Sequence, residues 1–268
     1  MPEIPPRGQA LQGVRVLVTR PREQAENLAR LIESQGGEAI RFPVIEIAEP
    51  PDTRKLRAII DRLENFSLAI FISPNAVRRG MRLINSRRGA LPPNLRVACV
   101  GSGSARELSR YGIGNVIVPG ENFDSEALLE LSELQRVEGR KIVIFRGEGG
   151  RELLSNTLIA RGATVEHAEC YRRVRPNADF TPVLHRWERG EVDIVCITSA
   201  DGLRNLFAMS GKSGQPLLLQ TPIIVVSPRQ AKLCRELGFK NDVRIAARAS
   251  DESMLDAIQA WQRQQKTL

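Results

Sequence analysis

The sequence is poor in the residues from which metal and redox sites are built. Only 4% of its 268 residues are aromatic, and neither of its two histidines, His167 and His185, has a second His or a Cys pair at ligand spacing. The four cysteines stand far apart and form no C-x-x-C motif. We therefore expect no metal site, and we expect the cysteines to be reduced thiols of the core.

Long apolar runs are also missing. No stretch approaches the roughly 20 apolar residues that span a bilayer. Residues 1–8 (MPEIPPRG) lack the charged-then-apolar pattern of a signal peptide. We therefore expect a cytoplasmic protein with no membrane partner.

Nucleotide-binding motifs are weak or absent. The sequence has no G-x-x-x-x-G-K-[ST] loop. Its run GSGSAR at 101–106 is similar to the dinucleotide fingerprint, but Arg106 stands where the third small residue belongs. We therefore expect no cofactor.

The charge is positive. With 39 Lys and Arg against 31 Asp and Glu, the formal net charge is +8. This balance favours an anionic partner, which could be nucleic acid, phosphate or a polycarboxylate, and the charge alone does not choose among them.

One lag of 126 residues recurs along the chain. Blocks of similar sequence are separated by this lag, such as LAIFISPNAVRRG and IVCITSADGLRNL. Identical residues at this lag are Arg20 and Arg146, Glu26 and Glu152, Leu28 and Leu154, Gly36 and Gly162, Pro50 and Pro176, Ser73 and Ser199, Arg78 and Arg204, Val100 and Val226, Ala105 and Ala231, and Gly112 and Gly238. A duplicated α/β unit is the simplest explanation.

Short β-branched runs alternate with amphipathic stretches, which is typical of parallel sheets covered by helices on both faces. We predict ten strands, at 14–19, 38–42, 68–73, 96–100, 115–118, 141–146, 163–167, 193–198, 222–226 and 243–246. The fold class is therefore α/β, with two flavodoxin-like doubly wound parallel sheets.

Two extended segments that end in proline occupy equivalent places in the two copies. They are FPVIEIAEPP at 42–51 and ECYRRVRP at 169–176. Proline disfavours helix in the residue before it, so both segments are predicted to be extended linkers. Two divisions of the chain remain open: an interleaved arrangement that uses both linkers, and a plain cut near residue 134.

Loops rich in hydroxyl groups follow several predicted strands. At the carboxyl ends of parallel strands such loops lead into helix N-termini, where backbone N–H groups attract anions. The loops are Thr19–Pro21, Ser73–Asn75, Gly101–Ser104, Thr198–Asp201 and Ser227–Gln230. Each could hold a substrate carboxylate, or its Ser, Asn or Asp could simply cap a helix.

The run RGEGGR at 146–151 is the most specific local feature. Arg146 and Arg151 bracket a flexible turn, glycine lets a backbone approach a ligand closely, and arginine suits bidentate carboxylate binding. Alternatively, Arg151 pairs with Glu148 or Glu152. Tyr171, one of only two tyrosines, lies in a linker, where its hydroxyl could face a cleft or its ring could serve packing.

Together these segments resemble the uroporphyrinogen-III synthase family. The resemblance rests on VTRP at 18–21, FISPNAV at 71–77, VGSGSA at 100–105, RGEGGRELL at 146–154 and CYRR at 170–173, in order over nearly the whole chain. It departs from the family at Ser227–Gln230, where relatives often carry Gly-Pro-Thr-Thr. The family resemblance implies two flavodoxin-like domains joined by a two-stranded linker. The implied bounds are 1–42 with 177–268 for one domain, 51–168 for the other, and 43–50 and 169–176 for the linker strands.

The resemblance also implies an activity. Such an enzyme is a cofactor-independent hydro-lyase that cyclises hydroxymethylbilane, a linear tetrapyrrole polycarboxylate, with loss of water and inversion of ring D through a spiro intermediate. The eight carboxylates of this substrate fit the positive charge of the chain. We expect a monomer that binds no nucleic acid, with the preceding pathway enzyme as its one transient protein partner.

Site residues follow from the resemblance by position. Tyr171 matches a cleft tyrosine and is implied to assist departure of the hydroxyl group. The implied substrate-binding residues are Arg20, Ser73, Ser102, Ser104, Arg146, Gly147, Arg151, Ser199 and Ser227.

Two rival functions share the repeat and the cleft loops. A hinged two-domain protein that binds a small anion without catalysis would be expected to carry an export signal. A nucleotide-sugar transferase would be expected to show a diphosphate-binding cation and a ribose-binding acid in one half only. Neither pattern is present in the sequence.

Overall fold

The computed structural model describes residues 9–120, 124–150 and 152–265. The chain divides into two compact units: unit 1 contains Met1–Glu46 and Val174–Leu268, and unit 2 contains Ile47–Arg173. Both boundaries fall inside the segments that were predicted as linkers. Unit 1 is therefore built from both ends of the chain and unit 2 from its middle.

Strands and helices alternate along the described residues. The strands are β1 (Arg15–Val18), β2 (Glu38–Arg41), β3 (Glu46–Ala48), β4 (Leu68–Phe71), β5 (Arg96–Cys99), β6 (Val116–Ile117), β7 (Lys141–Gly147), β8 (Thr164–Val174), β9 (Ile194–Cys196), β10 (Ile223–Val225) and β11 (Val243–Ile245). The helices are α1 (Arg22–Ser34), α2 (Arg54–Ile60), α3 (Pro74–Arg88), α4 (Ser102–Arg110), α5 (Ser125–Glu130), α6 (Ser132–Gln135), α7 (Leu153–Ala160), α8 (Thr181–Glu188), α9 (Ala200–Gln220), α10 (Pro228–Leu237) and α11 (Asp251–Gln265).

The sheet of unit 1 has the order β11-β10-β9-β1-β2, and every neighbouring pair is parallel. Helices α1 and α11 pack against each other and against this sheet. Leu28 and Ile32 of α1 and Met254 and Ile258 of α11 are fully buried there. Their spacing of four residues places each pair on one face of its helix, which explains why these helices cover the sheet.

The sheet of unit 2 has the order β3-β8-β7-β4-β5-β6, and the four neighbouring pairs from β8 to β6 are parallel. Side chains alternate between its two buried faces. Phe71 and Phe145 belong to one core cluster, whereas Ile70 and Ile144 belong to the other. The two Phe rings stack with centroids 4.5 Å apart. A sheet buried on both faces explains the continuous apolar runs of its strands.

Each sheet takes strands from both copies of the repeat. The starts of β1, β2 and β4 recur 126 residues later as the starts of β7, β8 and β9. The sheet of unit 1 combines β1 and β2 of the first copy with β9, β10 and β11 of the second copy. The sheet of unit 2 combines β7 and β8 of the second copy with β4, β5 and β6 of the first copy. Counted within its repeat, the sheet of unit 1 therefore has the strand order 2-1-3-4-5, and the sheet of unit 2 has the same order with β3 added beside β8. This is an α/β fold with parallel sheets.

All ten predicted strands are present, and the predicted linker segments are more regular than expected. The strand predicted at 163–167 continues as β8 to Val174, because residues 164–174 contain neither Pro nor Gly to stop it. The other segment contains β3, which lies beside β8 at the edge of the sheet. Both segments thus contribute strands to the sheet edge of unit 2.

Candidate functional site

The carboxyl edge of the unit 2 sheet brings together most of the predicted site residues. Phe71 of β4 pairs with Phe145 of β7 and with Cys99 of β5, and Gly147 of β7 pairs with Tyr171 of β8. Because these strands are parallel, the segments that follow β4, β5 and β7 meet at the same edge. Six of the predicted residues lie there: Ser73, Ser102, Ser104, Arg146, Gly147 and Tyr171.

Tyr171 is held in place within unit 2. Its ring belongs to the buried cluster around Phe71 and Phe145, and its hydroxyl oxygen lies 3.0 Å from Ser73 Oγ. The backbone N–H of Glu148 donates to the Tyr171 carbonyl at 2.7 Å. Both the ring and the backbone of this tyrosine are therefore fixed by neighbouring strands.

The ring of Tyr171 lies directly over Gly147. A Cβ atom at Gly147 would stand 2.6 Å from Tyr171 Cε2, 2.7 Å from Cζ and 3.1 Å from Oη. The register of β7 and β8 shifts at this point, between Arg146 and Gly147. The missing side chain of Gly147 therefore makes room for the phenol, whereas the sequence had suggested room for a ligand.

Ser73 caps the N-terminus of α3. Its backbone is extended (φ −160°, ψ 159°), and its Oγ accepts from the backbone N–H of Ala76 at 3.1 Å. Pro74 occupies the first helical position, where its missing N–H removes no hydrogen bond. Ser73 is thus both a cap, which was the simpler interpretation, and the hydrogen-bond partner of Tyr171.

Ser102 and Ser104 lie in the first turn of α4, which begins after Gly101. Ser102 is exposed and Ser104 is buried. A Cβ atom at the intervening Gly103 would stand 3.3 Å from the Pro74 ring, so the N-termini of α3 and α4 are close neighbours. Two helix N-termini at one edge create a positive potential there.

Arg146 is buried, and the loop that follows it engages its side chain. Its side chain is only 3% exposed, and Nη1 donates to Glu152 Oε1 at 2.9 Å. Nη2 donates to the carbonyl of Gly149. The guanidinium therefore holds Gly149 and Glu152 from inside the loop, with the Glu152 carboxylate as its charge partner. Arg151 lies outside the described residues.

His167 adds a titratable group that was not among the predicted site residues. Its Nε2 atom is buried without a hydrogen-bond partner among the described residues, 4.0 Å from Glu152 Oε2. Burial, and next the positive charge of Arg146, lower the pKa of His167. Comparison of the two copies could not have identified His167, because the equivalent residue in the first copy is an arginine, Arg41.

The carboxyl edge of the unit 1 sheet holds Arg20, Ser199 and Ser227. Arg20 follows β1 and pairs with Asp251, the first residue of α11. Asn27 Nδ2 donates to the same carboxylate at 2.7 Å. The Nε atom of Arg20 is buried and has no hydrogen-bond partner within the described ranges. One donor of this arginine is thus unsatisfied among the residues that the structure describes.

Ser199 and Ser227 cap helices in the manner of Ser73. Ser199 Oγ accepts from Gly202 N at 2.9 Å, and Ser227 Oγ accepts from Gln230 N at 3.3 Å. The side chain of Gln230 accepts in return from Val226 N at 3.0 Å, in an arrangement close to a capping box. The departure from Gly-Pro-Thr-Thr therefore leaves this helix end well capped.

The four cysteines are free and buried. Burial raises the pKa of Cys99 and of Cys234 to about 11 and that of Cys196 to about 12. Within residues 9–120, 124–150 and 152–265, no group of three or more His, Cys, Asp or Glu is arranged to hold a metal ion. In the same ranges no helix has the length and apolar character to cross a membrane.

Sequence comparison identifies the family. The family model "Uroporphyrinogen-III synthase HemD" matches residues 26–256. The uroporphyrinogen-III synthase of Escherichia coli (strain K12) is 33% identical over 245 residues, which are 91% of this chain and 99% of the relative. The chain belongs to the uroporphyrinogen-III synthase family. The Salmonella typhimurium synthase is 34% identical over 248 residues, with the same coverage of both chains.

Solved structures of the uroporphyrinogen-III synthase family share the fold. A crystal structure of the Thermus thermophilus synthase, a mutant form, covers 93% of this chain and 99% of its own at 23% identity, with a TM-score of 0.58. The Helicobacter pylori synthase covers 92% and 99% at 12% identity, with a TM-score of 0.57. The α/β architecture with parallel sheets is therefore common to these proteins.

For this family member, the chemistry available at the unit 2 edge is hydrogen-bond donation. Tyr171 supplies a phenol, Ser73 a hydroxyl, and α3 and α4 supply the N–H groups of their first turns. Such donors stabilise carboxylates and oxygen atoms on which negative charge develops. The arrangement suits binding of a polycarboxylate and assistance to an oxygen leaving group.

Proposed function

We propose that this chain is a uroporphyrinogen-III synthase that cyclises hydroxymethylbilane for haem biosynthesis. Membership of the family over nearly the whole chain carries the proposal. The observation that supports it at the site is the phenol of Tyr171, which is fixed against Ser73 at the carboxyl edge of a parallel sheet.

The proposed reaction removes one molecule of water and involves no redox change. The C–O bond of the terminal hydroxymethyl group breaks, and the hydroxide leaves with a proton as water. The substituted carbon of ring D attacks the resulting carbon centre and forms a spiro intermediate. That intermediate fragments and recloses with ring D inverted, and ring D loses a proton as aromaticity is restored. The electron-rich pyrroles supply the driving force, so the protein mainly folds and positions the substrate.

Tyr171 is our candidate to assist departure of the hydroxide. A developing hydroxide needs a hydrogen-bond donor, and a phenol supplies one without a charge of its own. The ring is fixed by its packing over Gly147, so the hydroxyl is held ready before the substrate binds. This role agrees with the one implied by the resemblance.

The substrate carboxylates are proposed to bind at the helix N-termini on both sheet edges. Ser102 and Ser104 offer hydroxyls beside the first turn of α4, while Ser199 and Ser227 mark the starts of α9 and α10. Arg20 keeps one unpartnered donor, Nε, among the described residues and can act as a counter-charge. Two further contributors are Arg146, acting through the loop that it braces, and Arg151.

We further propose two flavodoxin-like domains joined by the segments 43–50 and 169–176. The strand order 2-1-3-4-5 within each sheet supports this assignment. We also propose a cofactor-independent, monomeric, cytoplasmic enzyme that contacts the preceding pathway enzyme only transiently.

A coupled assay that starts from porphobilinogen and the preceding enzyme tests the proposal. The purified chain should convert the hydroxymethylbilane formed in the assay to isomer III, and omission of the chain should leave isomer I, in which ring D is not inverted. Treatment with EDTA should not change the rate. A chain that binds the tetrapyrrole but yields only isomer I would instead be the anion-binding protein without catalysis.

A further inference from the structure

We propose that Ser73 is a positioning residue that turns the hydroxyl proton of Tyr171 toward the substrate. This inference rests on the proposed function, and it assigns to Ser73 a task other than binding a substrate carboxylate. It is based on the contacts of three groups: Ala76 N–H, the Ser73 hydroxyl and the Tyr171 hydroxyl.

The Ser73 and Tyr171 hydroxyls can share a hydrogen bond in either direction, and the proposed function requires that Ser73 donates. Ser73 Oγ accepts from Ala76 N at 3.1 Å through one lone pair, and its own proton can be donated to a second group. Tyr171 Oη lies 3.0 Å away and can accept it. If the phenol donated to Ser73 instead, its single proton would be consumed and could not reach a leaving oxygen. Only donation from Ser73 leaves the phenol proton available.

The position of Ser73 at a helix N-terminus favours the same direction. Helix α3 has 15 residues, and its aligned peptide dipoles place partial positive charge on the N–H groups of its first turn. Donation from Ala76 N–H polarises the serine hydroxyl, which then becomes a better donor to the phenol oxygen. The phenol in turn becomes a stronger donor to the substrate. The helix thus acts on the reacting oxygen through two hydroxyl groups.

Unit 1 offers a matched comparison, since it holds the repeat equivalents of both Ser73 and Tyr171. Ser199 stands at the equivalent position and caps α9 with the same geometry. The residue equivalent to Tyr171 is Ile45, whose Cδ1 lies 3.7 Å from the site of a Cβ at Gly202, in the first turn of α9. Capping is therefore common to both copies, and the contact with a phenol is found only at Ser73.

A double-mutant cycle between Ser73→Gly and Tyr171→Phe tests the inference. Glycine removes the hydroxyl yet costs a helix N-cap only a few tenths of a kcal/mol. Steady-state kcat and KM for hydroxymethylbilane are measured for the parent, both single variants and the double variant. Ser73→Thr keeps both the hydroxyl and the cap, and Ser199→Gly gives the loss of thermal stability that removal of a capping serine causes by itself.

We expect Ser73→Gly to lower kcat about 10-fold in the parent with KM nearly unchanged, because a transition-state hydrogen bond is weakened. In the Tyr171→Phe background the same change should alter kcat less than about twofold, because no phenol proton remains to be oriented. Ser73→Thr should keep kcat close to that of the parent.

Other outcomes separate the alternatives. A rise in KM by the same factor in both backgrounds would show that Ser73 binds a substrate carboxylate, and would overturn the inference. Equal losses of kcat in both backgrounds would overturn it as well. Parent-like turnover in Tyr171→Phe would remove Tyr171 from the chemistry and Ser73 with it. In each case, formation of isomer III by the parent would still support the proposed function.

Discussion

Substitution of Gly147 by alanine is a sharp test of the phenol's position. Gly147 lies in β7 with a backbone φ outside the left-handed region, so alanine causes no backbone strain there. Its Cβ atom would approach Tyr171 Cε2 to 2.6 Å, whereas carbon atoms make favourable contact at about 3.5 Å or more. The ring must therefore withdraw by close to 1 Å, and its hydroxyl must leave the position 3.0 Å from Ser73 Oγ.

Both activity and stability should respond. Misplacement of a reacting group by about 1 Å costs on the order of 100-fold in rate, so we expect kcat to fall roughly 10- to 100-fold. An added methyl in a packed site costs about 1–3 kcal/mol, which should lower the melting temperature of unit 2 by several degrees. Isomer III should remain the product, because contacts away from Tyr171 fold the substrate.

The assay compares kcat and melting temperature for five chains: the parent, Gly147→Ala, Gly114→Ala, Tyr171→Phe and the double variant of Gly147 and Tyr171. Gly114→Ala is the control, since a Cβ at Gly114 would meet nothing within 4 Å and its backbone is not left-handed. In the Tyr171→Phe background, Gly147→Ala should still lower the melting temperature yet change kcat little. If Gly147→Ala destabilises the fold but retains the parent's kcat, the position of the phenol does not control the rate and the reasoning is refuted.

Two further predictions concern Tyr171 and His167. Tyr171→Phe should lower turnover about 100-fold with little change in melting temperature, because a positioned donor is lost while the ring keeps its packing; parent-like turnover in the isomer assay would contradict this. The lowered pKa of His167 means that unfolding takes up a proton below about pH 6.5, so stability that is present above this pH is lost as the pH falls. Thermal melts at pH 7.5 and 5.5 should therefore show a smaller loss for His167→Gln than for the parent. Equal losses would show that His167 does not contribute to the pH dependence of stability.

The strands and the duplication were accessible from the sequence because they depend on local patterns. A parallel strand that is buried on both faces reads as an apolar run, and the lag of 126 residues matched one copy to the other. The loops at the carboxyl ends of these strands followed from the strand assignments. The sequence therefore predicts Ser73, Ser102 and Ser104 in loops at the carboxyl ends of parallel strands.

The roles of Arg146 and Gly147 were not accessible in the same way, because they depend on register and side-chain direction. The ring of Tyr171 lies over Gly147 only because the β7 and β8 register shifts at that residue. The Arg146 guanidinium turns toward Glu152, six residues further along, and a flexible glycine turn in the sequence does not reveal this direction. The extra strand β3 was missed because its three residues lie in a proline-bounded segment.

A comparison of the two copies shows where the positive potential of the sheet edges originates. In both copies an arginine lies at the end of the first strand, and it forms an ion pair with a carboxylate. Arg20 pairs with Asp251, and Arg146 pairs with Glu152. Paired charges cancel much of each other's field at a distance, so these arginines contribute less to anion binding than their number suggests.

The helix N-termini are the other source of positive potential, and their N–H groups point toward the sheet edge independently of the side chains. The phenol of Tyr171 is what distinguishes one edge from the other, since Ile45 stands in its place in the other copy. Each edge thus offers helix N-termini that suit a carboxylate, and the unit 2 edge adds the phenol of Tyr171 as a further donor.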